Sequence, residues 1–264
     1  MNNNGITSYS AFEDRLKGDK LKDYSTIKQF QDYFDWIAKY IFGNVAIVIG
    51  DSNSKQIKYY LEEIEFYYNN LPEEVIKSAK DKITSEEKKK YVYYFSCTYK
   101  RNRKAMQLFW HYSGVDICFQ TDLKKNCYGG ILIRSLIKEF IDGEGNLVRE
   151  LIAGPLRCAN EIVNQCVLEE VNTIPQVVKL ARYNNDYVIR STIRQGIETS
   201  DKYDDLRAKI KKDNDGYVVS DDFPCFCYYV LRGKDGWNTK VDNKTIRYNA
   251  NPEERMGIIM RVLI

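Results

Sequence analysis

The chain has 264 residues, of which 44% are hydrophobic and 13% aromatic, so it can bury a substantial core, which argues against wholesale disorder. The net charge of +3 is compatible with a nucleic-acid partner without selecting one, and a single histidine, His111, argues against a histidine-based zinc site or a Ser-His-Asp triad. The polar start at Met1–Gly5 has no signal-peptide pattern, no apolar run approaches the ~20 residues of a membrane helix, and the seven cysteines contain no CxxC pair. We therefore expect a cytoplasmic monomer with reduced thiols and without metal or cofactor.

The first half of the chain has a clear order of elements. Residues 1–24 are polar and mixed in charge, which predicts an N-terminal arm, either loosely attached or folded as a short amphipathic helix. From Ser25 to Gly43 the apolar residues recur at helical spacing, with a capping residue before them and a glycine stop after them. Strands are predicted at Val45–Ile49 and Ile57–Tyr68, separated by a polar turn.

The second half alternates strand and helix signals without a linker or an internal repeat, so we predict a single α+β domain over residues 25–264. The predicted elements are a charged helical or disordered stretch at Glu73–Lys90, strands at Tyr91–Tyr99, Val115–Thr121 and Gly130–Ser135, a helix from Gly154 to about Val167, and strand-like pieces at Phe226–Leu231 and Met256–Leu263.

Three short stretches carry candidate chemistry. Alternation along the second strand places Glu63, Glu65 and Tyr67 on one face, where a carboxylate could meet a water and an aromatic ligand together. Arg134 ends an apolar strand and must find an anion, either a phosphate or one of these glutamates. The helix start at Gly154–Arg157 offers free amides to an anion, or it is a plain helix start.

The order and spacing of these stretches resemble the 3-methyladenine (alkyladenine) DNA glycosylase family. That family has a helix ending A-x-x-L-L-G, a strand, and then E-x-E-A-Y, R-N-x-x-M-F, Y-G-M-x-x-C-x-N, V-L-I-R-A, G-P-x-K-L-x-x-A-L and R-I-G-I. The counterparts in this chain are Ile37–Gly43, Glu63–Tyr67, Arg101–Met106, Tyr112–Gln120, Ile131–Ser135, Gly154–Cys158 and Arg194–Ile197. The resemblance covers about residues 33–210 and leaves 211–264 as a C-terminal extension.

The resemblance implies a mixed, mainly antiparallel curved sheet with flanking helices. It also implies a base-excision repair hydrolase that flips an alkylated or deaminated purine out of double-stranded DNA and cuts its N-glycosidic bond with water. Glu65 would be the general base, and Arg134 would help to hold the water and the phosphate of the flipped nucleotide. The base pocket would contain Tyr67, Tyr112 and Gln120, with Tyr112 in the segment that also supplies the family's intercalating wedge. The DNA-binding residues would be Arg101, Asn102, Arg103, Lys104 and Arg194.

The sequence departs from the family in ways that keep alternatives open. The family histidine that follows E-x-E-A-Y and contacts the flipped base is absent, with Tyr94 or Phe95 as replacements. One alternative is an inactive nucleic-acid-binding relative, indicated by a filled pocket or by a Glu65 that is ion-paired and shielded from water. Another is an enzyme acting on free nucleotides, indicated by an uncharged rim around Tyr112, because duplex DNA requires phosphate contacts.

Overall fold

The computed structural model of the protein describes residues 9–17, 27–50, 56–69, 101–122, 127–168, 175–183, 187–192, 226–232 and 260–263. Helices in these ranges are α1 (Tyr9–Lys17), α2 (Ile27–Asn44) and α3 (Pro155–Leu168). None of the described helices is long and apolar enough to cross a membrane.

The strands belong to one ten-stranded sheet, and every described pair of neighbouring strands is antiparallel. In chain order they are β1 (Val45–Ile49), β2 (Ile57–Asn69), β3 (Leu108–His111), β4 (Gly114–Asp122), β5 (Cys127–Ile141), β6 (Leu147–Ala153), β7 (Gln176–Lys179), β8 (Tyr187–Thr192), β9 (Cys227–Arg232) and β10 (Met260–Leu263). The protein thus has the mixed helix and strand content that was predicted.

The sheet forks around its two long central strands, β2 and β5, which pair with each other. On the far edge of β2, β1 pairs up to Tyr60 and β9 takes over from Glu63. On the far edge of β5, β4 pairs up to Leu132 and β6 takes over from Ser135. Four branches of the sheet therefore meet near the middle of the central pair.

Bulges in both central strands mark this fork. The pairing between β2 and β5 steps over Glu62 on β2 and over Arg134 on β5. Because a bulge bends its strand and re-aims a side chain, this irregularity lets the branches diverge and turns charged residues toward one place. Bulges of this kind account for a sheet that curls.

The two faces of the central strands differ in polarity. Ile64, Phe66 and Tyr68 are buried in the apolar core, where Phe66 stacks on Phe34 of α2 with 4.4 Å between ring centroids. Glu63, Glu65 and Tyr67 alternate with them and point to the opposite side. The predicted face assignment of this strand is confirmed.

Helices pack against strands of the sheet. In α1, Phe12 and Leu16 are fully buried, and Phe12 stacks on Tyr40 of α2 with centroids 4.1 Å apart. Of the two forms expected for the N-terminal arm, the structure has the helix. In α3, Cys158 and Ile162 are fully buried where this helix packs against β4 and β5.

Most predicted elements lie where the pattern placed them. β1 has the predicted bounds, and α2, β2, β4, α3 and β9 occupy the predicted regions, while β10 lies within the predicted Met256–Leu263. β5 is longer than the predicted Gly130–Ser135, and β3, β6, β7 and β8 were not predicted. The predictions for Glu73–Lys90 and Tyr91–Tyr99 fall outside the described residues.

The two described strands of the C-terminal extension, β9 and β10, belong to the same sheet. β9 pairs with β2 beside Glu63 and Glu65, and β8 joins β9 to β10. Residues far apart in the chain are therefore brought to the fork by the outer strands.

Candidate active site

Glu65 is the centre of a buried polar cluster at the fork. Its side chain is 0% exposed, and it lies beside Leu132 of β5 and Cys227 of β9. One carboxylate oxygen, Oε1, lies 3.2 Å from an Nη of Arg134, and the other, Oε2, accepts a hydrogen bond of 2.9 Å from the Tyr67 hydroxyl. Both oxygens of the predicted general base are thus engaged by the two residues that the sequence grouped with it.

Arg134 lies between two carboxylates. Its Nε donates to Glu63 Oε1 at 3.1 Å while its Nη1 contacts Glu65, and its side chain is 13% exposed. Burial lowers the pKa of Arg134, but the charges of Glu65 and then Glu63 outweigh burial and raise this pKa above its ordinary value. Arg134 is therefore permanently positive. Its carbonyl also accepts a 2.7 Å bond from the amide of Gly154, which anchors the start of α3 at the fork.

Two thiols border the Glu63 side of the cluster. Cys227 of β9 contacts Glu63 Oε1 through Sγ at 3.6 Å. Burial, and after it the negative charge of Glu63, raises the pKa of the Cys158 thiol on α3. Cys158 is therefore neutral, and it adds packing without adding charge next to Arg134.

Arg101 enters the cluster across β5 because Gly130 has no side chain. A Cβ at Gly130 would fall far inside contact distance of the Arg101 side chain and 2.7 Å from Asp116 Oδ2. The Arg101 Nε pairs with Asp116 of β4, and its guanidinium carbon lies 5.3 Å from the centre of the Tyr67 ring. Arg101 thus connects a buried carboxylate to the predicted wall of the base pocket.

The β3–β4 hairpin carries Tyr112, which was predicted for the base pocket. Tyr112 is 90% exposed in the turn, and Trp110, two residues before it on β3, is 39% exposed. The adjacent His111 is turned inward, with Nε2 3.3 Å from Asp116 Oδ1, within ion-pair range but not aligned as a hydrogen bond. Its Nδ1 accepts a 3.2 Å bond from the Ser113 amide.

Gln120 is held on the helix side of β4. It has a positive φ of 48°, next to the β4–β5 register shift, so the alternation of faces breaks there. Its side-chain amide donates to the Tyr33 hydroxyl of α2 at 2.8 Å, and that hydroxyl donates to the Arg15 carbonyl of α1. Both residues were predicted for the base pocket, but Gln120 links β4 to the two N-terminal helices, whereas Tyr67 lies with Glu65.

The predicted DNA-binding residues divide into two groups. Asn102, Arg103 and Lys104 are exposed. Arg101 is instead inside the protein, 2% exposed, because Asp116 neutralises its charge there. Arg194 lies outside the described residues.

Sequence reasoning did not select Asp116. Asp116 is fully buried in a strand whose other residues are largely apolar, and a lone acidic residue in such a run was a usable signal, because a buried carboxylate needs a cation. The resemblance assigned Arg101 to DNA binding, and nothing local in the sequence shows that this arginine of the run Lys100–Lys104 turns inward.

The arrangement can support acid–base or electrostatic chemistry on a bound group. Glu63, Glu65 and Asp116 face Arg134 and Arg101, so these five side chains carry one net negative charge. In the described part of the chain, no group of three or more His, Cys, Asp or Glu side chains could hold a metal ion. No protein-family model matches this chain, and no curated protein matches it.

Proposed function

We propose that the protein is a DNA base-excision hydrolase of the 3-methyladenine DNA glycosylase type, with the glycosylase-like fold that the motif order implies. The observation that carries this proposal is the grouping of Glu65, Arg134 and Tyr67 on one face at the fork. The proposed substrate is a damaged purine in double-stranded DNA, and the proposed active form is a cytoplasmic monomer.

The contacts of Glu65 suit the hydrolysis of a glycosidic bond. Cleavage gives the sugar oxocarbenium-like positive charge, which a nearby carboxylate stabilises. The attacking water must lose its proton, and a positioned carboxylate can accept it. Arg134 and Tyr67 hold the carboxylate in one orientation, and the five N–H donors of a guanidinium leave Arg134 capacity for a water or a phosphate oxygen.

The surroundings of Glu65 suit a base that has left the duplex. Tyr67 is half-buried, so its ring can form one wall for a flipped purine by stacking. Exposed Tyr112 is available to occupy the gap left in the duplex, and exposed Arg103 and Lys104 can contact phosphates.

One observation favours a second function, a nucleic-acid-binding protein without catalysis. Glu65 is ion-paired and fully shielded from solvent, which is the condition set for this alternative. A carboxylate in that state activates a water only if binding of the nucleotide opens a path to it. The exposed aromatic and basic residues would still bind DNA.

Base release from a panel of duplexes separates the two functions. Duplexes carrying a central hypoxanthine, ethenoadenine or methylated purine are incubated with the purified chain, and abasic sites are counted after strand cleavage at those sites. Excision that is lost in Glu65→Gln supports the hydrolase. Glu144→Gln, which changes an exposed carboxylate in the β5–β6 turn, is the matched control and should excise normally.

If no base is released, the binding alternative makes its own prediction. Duplex affinity should fall steeply with salt concentration because Lys and Arg contacts displace counterions from the phosphates. Absence of both excision and salt-dependent binding would contradict both functions.

A further inference from the structure

A continuous series of contacts leads from the exposed hairpin turn to the buried cluster. The Ser113 amide, next to Tyr112, donates to His111 Nδ1, and His111 Nε2 faces Asp116. Asp116 also holds Arg101, which lies over the Tyr67 ring. Tyr67 in turn donates to Glu65.

Hydrogen-bond geometry fixes how His111 sits in this series. Because Nδ1 accepts the Ser113 amide proton, a neutral imidazole must carry its own proton on Nε2. Asp116 Oδ1 lies 3.3 Å from this nitrogen, within ion-pair range although the two atoms are not aligned as a hydrogen bond. Asp116 therefore favours the one tautomer that can hold the turn.

Asp116 is the carboxylate of this series that lies between the turn and the pocket wall. Its side chain is 0% exposed, and its two oxygens face different partners, with Oδ1 toward His111 and Oδ2 toward Arg101. Gly130 leaves the space in which the Arg101 contact forms.

We propose that Asp116 is a positioning residue that holds the Tyr112 turn, through His111, in register with the Tyr67 wall of the pocket, through Arg101. The inference rests on the proposed function, because it assigns the turn to the duplex and the pocket to the flipped base. Asp116 itself touches neither. Its contribution is that one side chain holds both the Tyr112 turn and the Tyr67 wall.

A double-mutant cycle on binding tests the proposal without any chemistry. The probe is a duplex with a central tetrahydrofuran abasic-site analogue, which cannot be hydrolysed, and the variants are Asp116→Asn, Tyr112→Ala and their combination. If Asp116 acts through the turn, both single variants weaken binding, and the double variant binds no more weakly than Tyr112→Ala alone. The dissociation constant of the double variant should therefore be at least about threefold smaller than the product of the two single effects, which is within the range for residues in one network.

A spectroscopic readout accompanies the cycle. His111 is the single histidine of the chain, so nitrogen-15 labelling gives one imidazole spectrum. Wild type should show the Nε2–H form, and Asp116→Asn should shift or mix the tautomers. Asp122→Asn, on the same strand, is the matched control and should change neither the spectrum nor the affinity. If Asp116→Asn does not fold, His111→Gln takes its place in the binding cycle.

The outcomes separate this inference from the proposed function. Multiplicative effects of Asp116→Asn and Tyr112→Ala in folded protein, or an unchanged imidazole spectrum, would overturn the positioning role even if bases are excised. If the analogue duplex does not bind to wild type, the proposed function fails and the coupling to a wedge fails with it. If coupling is found without excision, Asp116 positions the binding surface of a non-catalytic protein.

Discussion

At the scale of single residues, the fork brings together several buried charged side chains. Glu62, Glu63, Glu65, Asp116 and Arg182 are each at most 6% exposed, and each carboxylate among them faces an arginine. Pairing is required because an unpaired buried charge is costly to remove from water. The pairs differ in purpose, however: Glu63–Arg134–Glu65 and Asp116–Arg101 adjoin the half-buried Tyr67, whereas Glu62–Arg182 does not share this contact in the described structure.

The ion pair between Glu62 and Arg182 is predicted to be structural. Both side chains are 1% exposed, and Arg182 also donates to the carbonyls of Phe42 and Leu61, so it joins the end of α2 to the bulge of β2. We expect Arg182→Met to lower the free energy of unfolding by about 3–5 kcal/mol, because it leaves Glu62 buried without its cation.

Urea unfolding measures this loss, and an exposed pair provides the control. Lys28 and Asp32 on α2 form an ion pair at 3.3 Å with side chains 78% and 55% exposed. Lys28→Met should cost less than about 1 kcal/mol. Equal losses in the two variants would show that Arg182 is not a buried structural partner.

The residue-scale part of the site was partly predictable. Alternation in β2 was sufficient to place Glu63, Glu65 and Tyr67 together, because a strand repeats every second residue. The pairing of Arg101 with Asp116 was not predictable, because the Arg101 side chain must pass over Gly130, and no local pattern encodes that contact.

At the scale of elements, the β5–β6 hairpin shows how turn chemistry extends a strand. Asp142 Oδ1 accepts the amides of Glu144 and Asn146, and Gly145 has a φ of +87°. Glycine adopts this conformation without the strain that a Cβ would bring. The turn therefore allows β5 to pair with β6 over Ser135–Ile141.

Substitution of the two glycines of this turn tests that explanation. A methyl group added at either Gly143 or Gly145 would meet open space, but only Gly145 has a positive φ. Gly145→Ala should lower the free energy of unfolding by about 1 kcal/mol through backbone strain. Gly143→Ala should be neutral or slightly stabilising in the same chemical denaturation experiment. Equal effects would contradict the conformational explanation.

Element prediction succeeded where the period was regular and failed where charge interrupted it. The apolar run of β1, the aromatic-rich run of β2 and the helical spacing of α2 identified these elements from sequence. β5 extends beyond the predicted Gly130–Ser135 at both ends and continues through the charged residues Lys138 and Glu139. Glu139 is nevertheless buried, since Arg149 of β6 pairs with it at 2.8 Å, and that cross-strand partner is visible only in the structure.

At the scale of the whole molecule, burial of weak acids predicts sensitivity to alkali. Burial, and then the charge of Asp116, raises the pKa of Cys118 from 9.0 to about 12. Burial, and then Glu139, raises the pKa of Tyr60 from 10.0 to about 12. Burial also raises the pKa of Tyr59. In each case the folded state favours the protonated form.

The sign of the pH dependence follows from these directions. Below the unfolded-state values of 9.0 for Cys118 and 10.0 for Tyr60 the stabilisation is fully present, and it is lost as pH rises toward about 12 because only the unfolded chain ionises readily. Urea midpoints measured from about pH 8 to pH 11 should fall with increasing steepness. The urea midpoint of Tyr60→Phe should fall less steeply with pH than that of wild type. A wild-type midpoint that stays constant would contradict the prediction.

Assembly over long sequence distances was not predictable from the pattern of single segments. β9 and β10 were recognised as strands, yet their pairing with β2 and β8 joins residues far apart in the chain. Partner choice depends on faces and edges that exist only after the central strands have paired. This is how β9, near the C-terminal end of the described chain, comes to contribute Cys227 beside Glu63.

The most direct test of the central claim is single-turnover excision by wild type and Glu65→Gln on the duplex that wild type processes best, with affinity measured on the same samples. Loss of the carboxylate should slow base release by at least about a hundredfold, as expected for a general base, while the dissociation constant stays within about threefold. Base release by Glu65→Gln at the wild-type rate would contradict the assignment of Glu65 and with it the proposed active site.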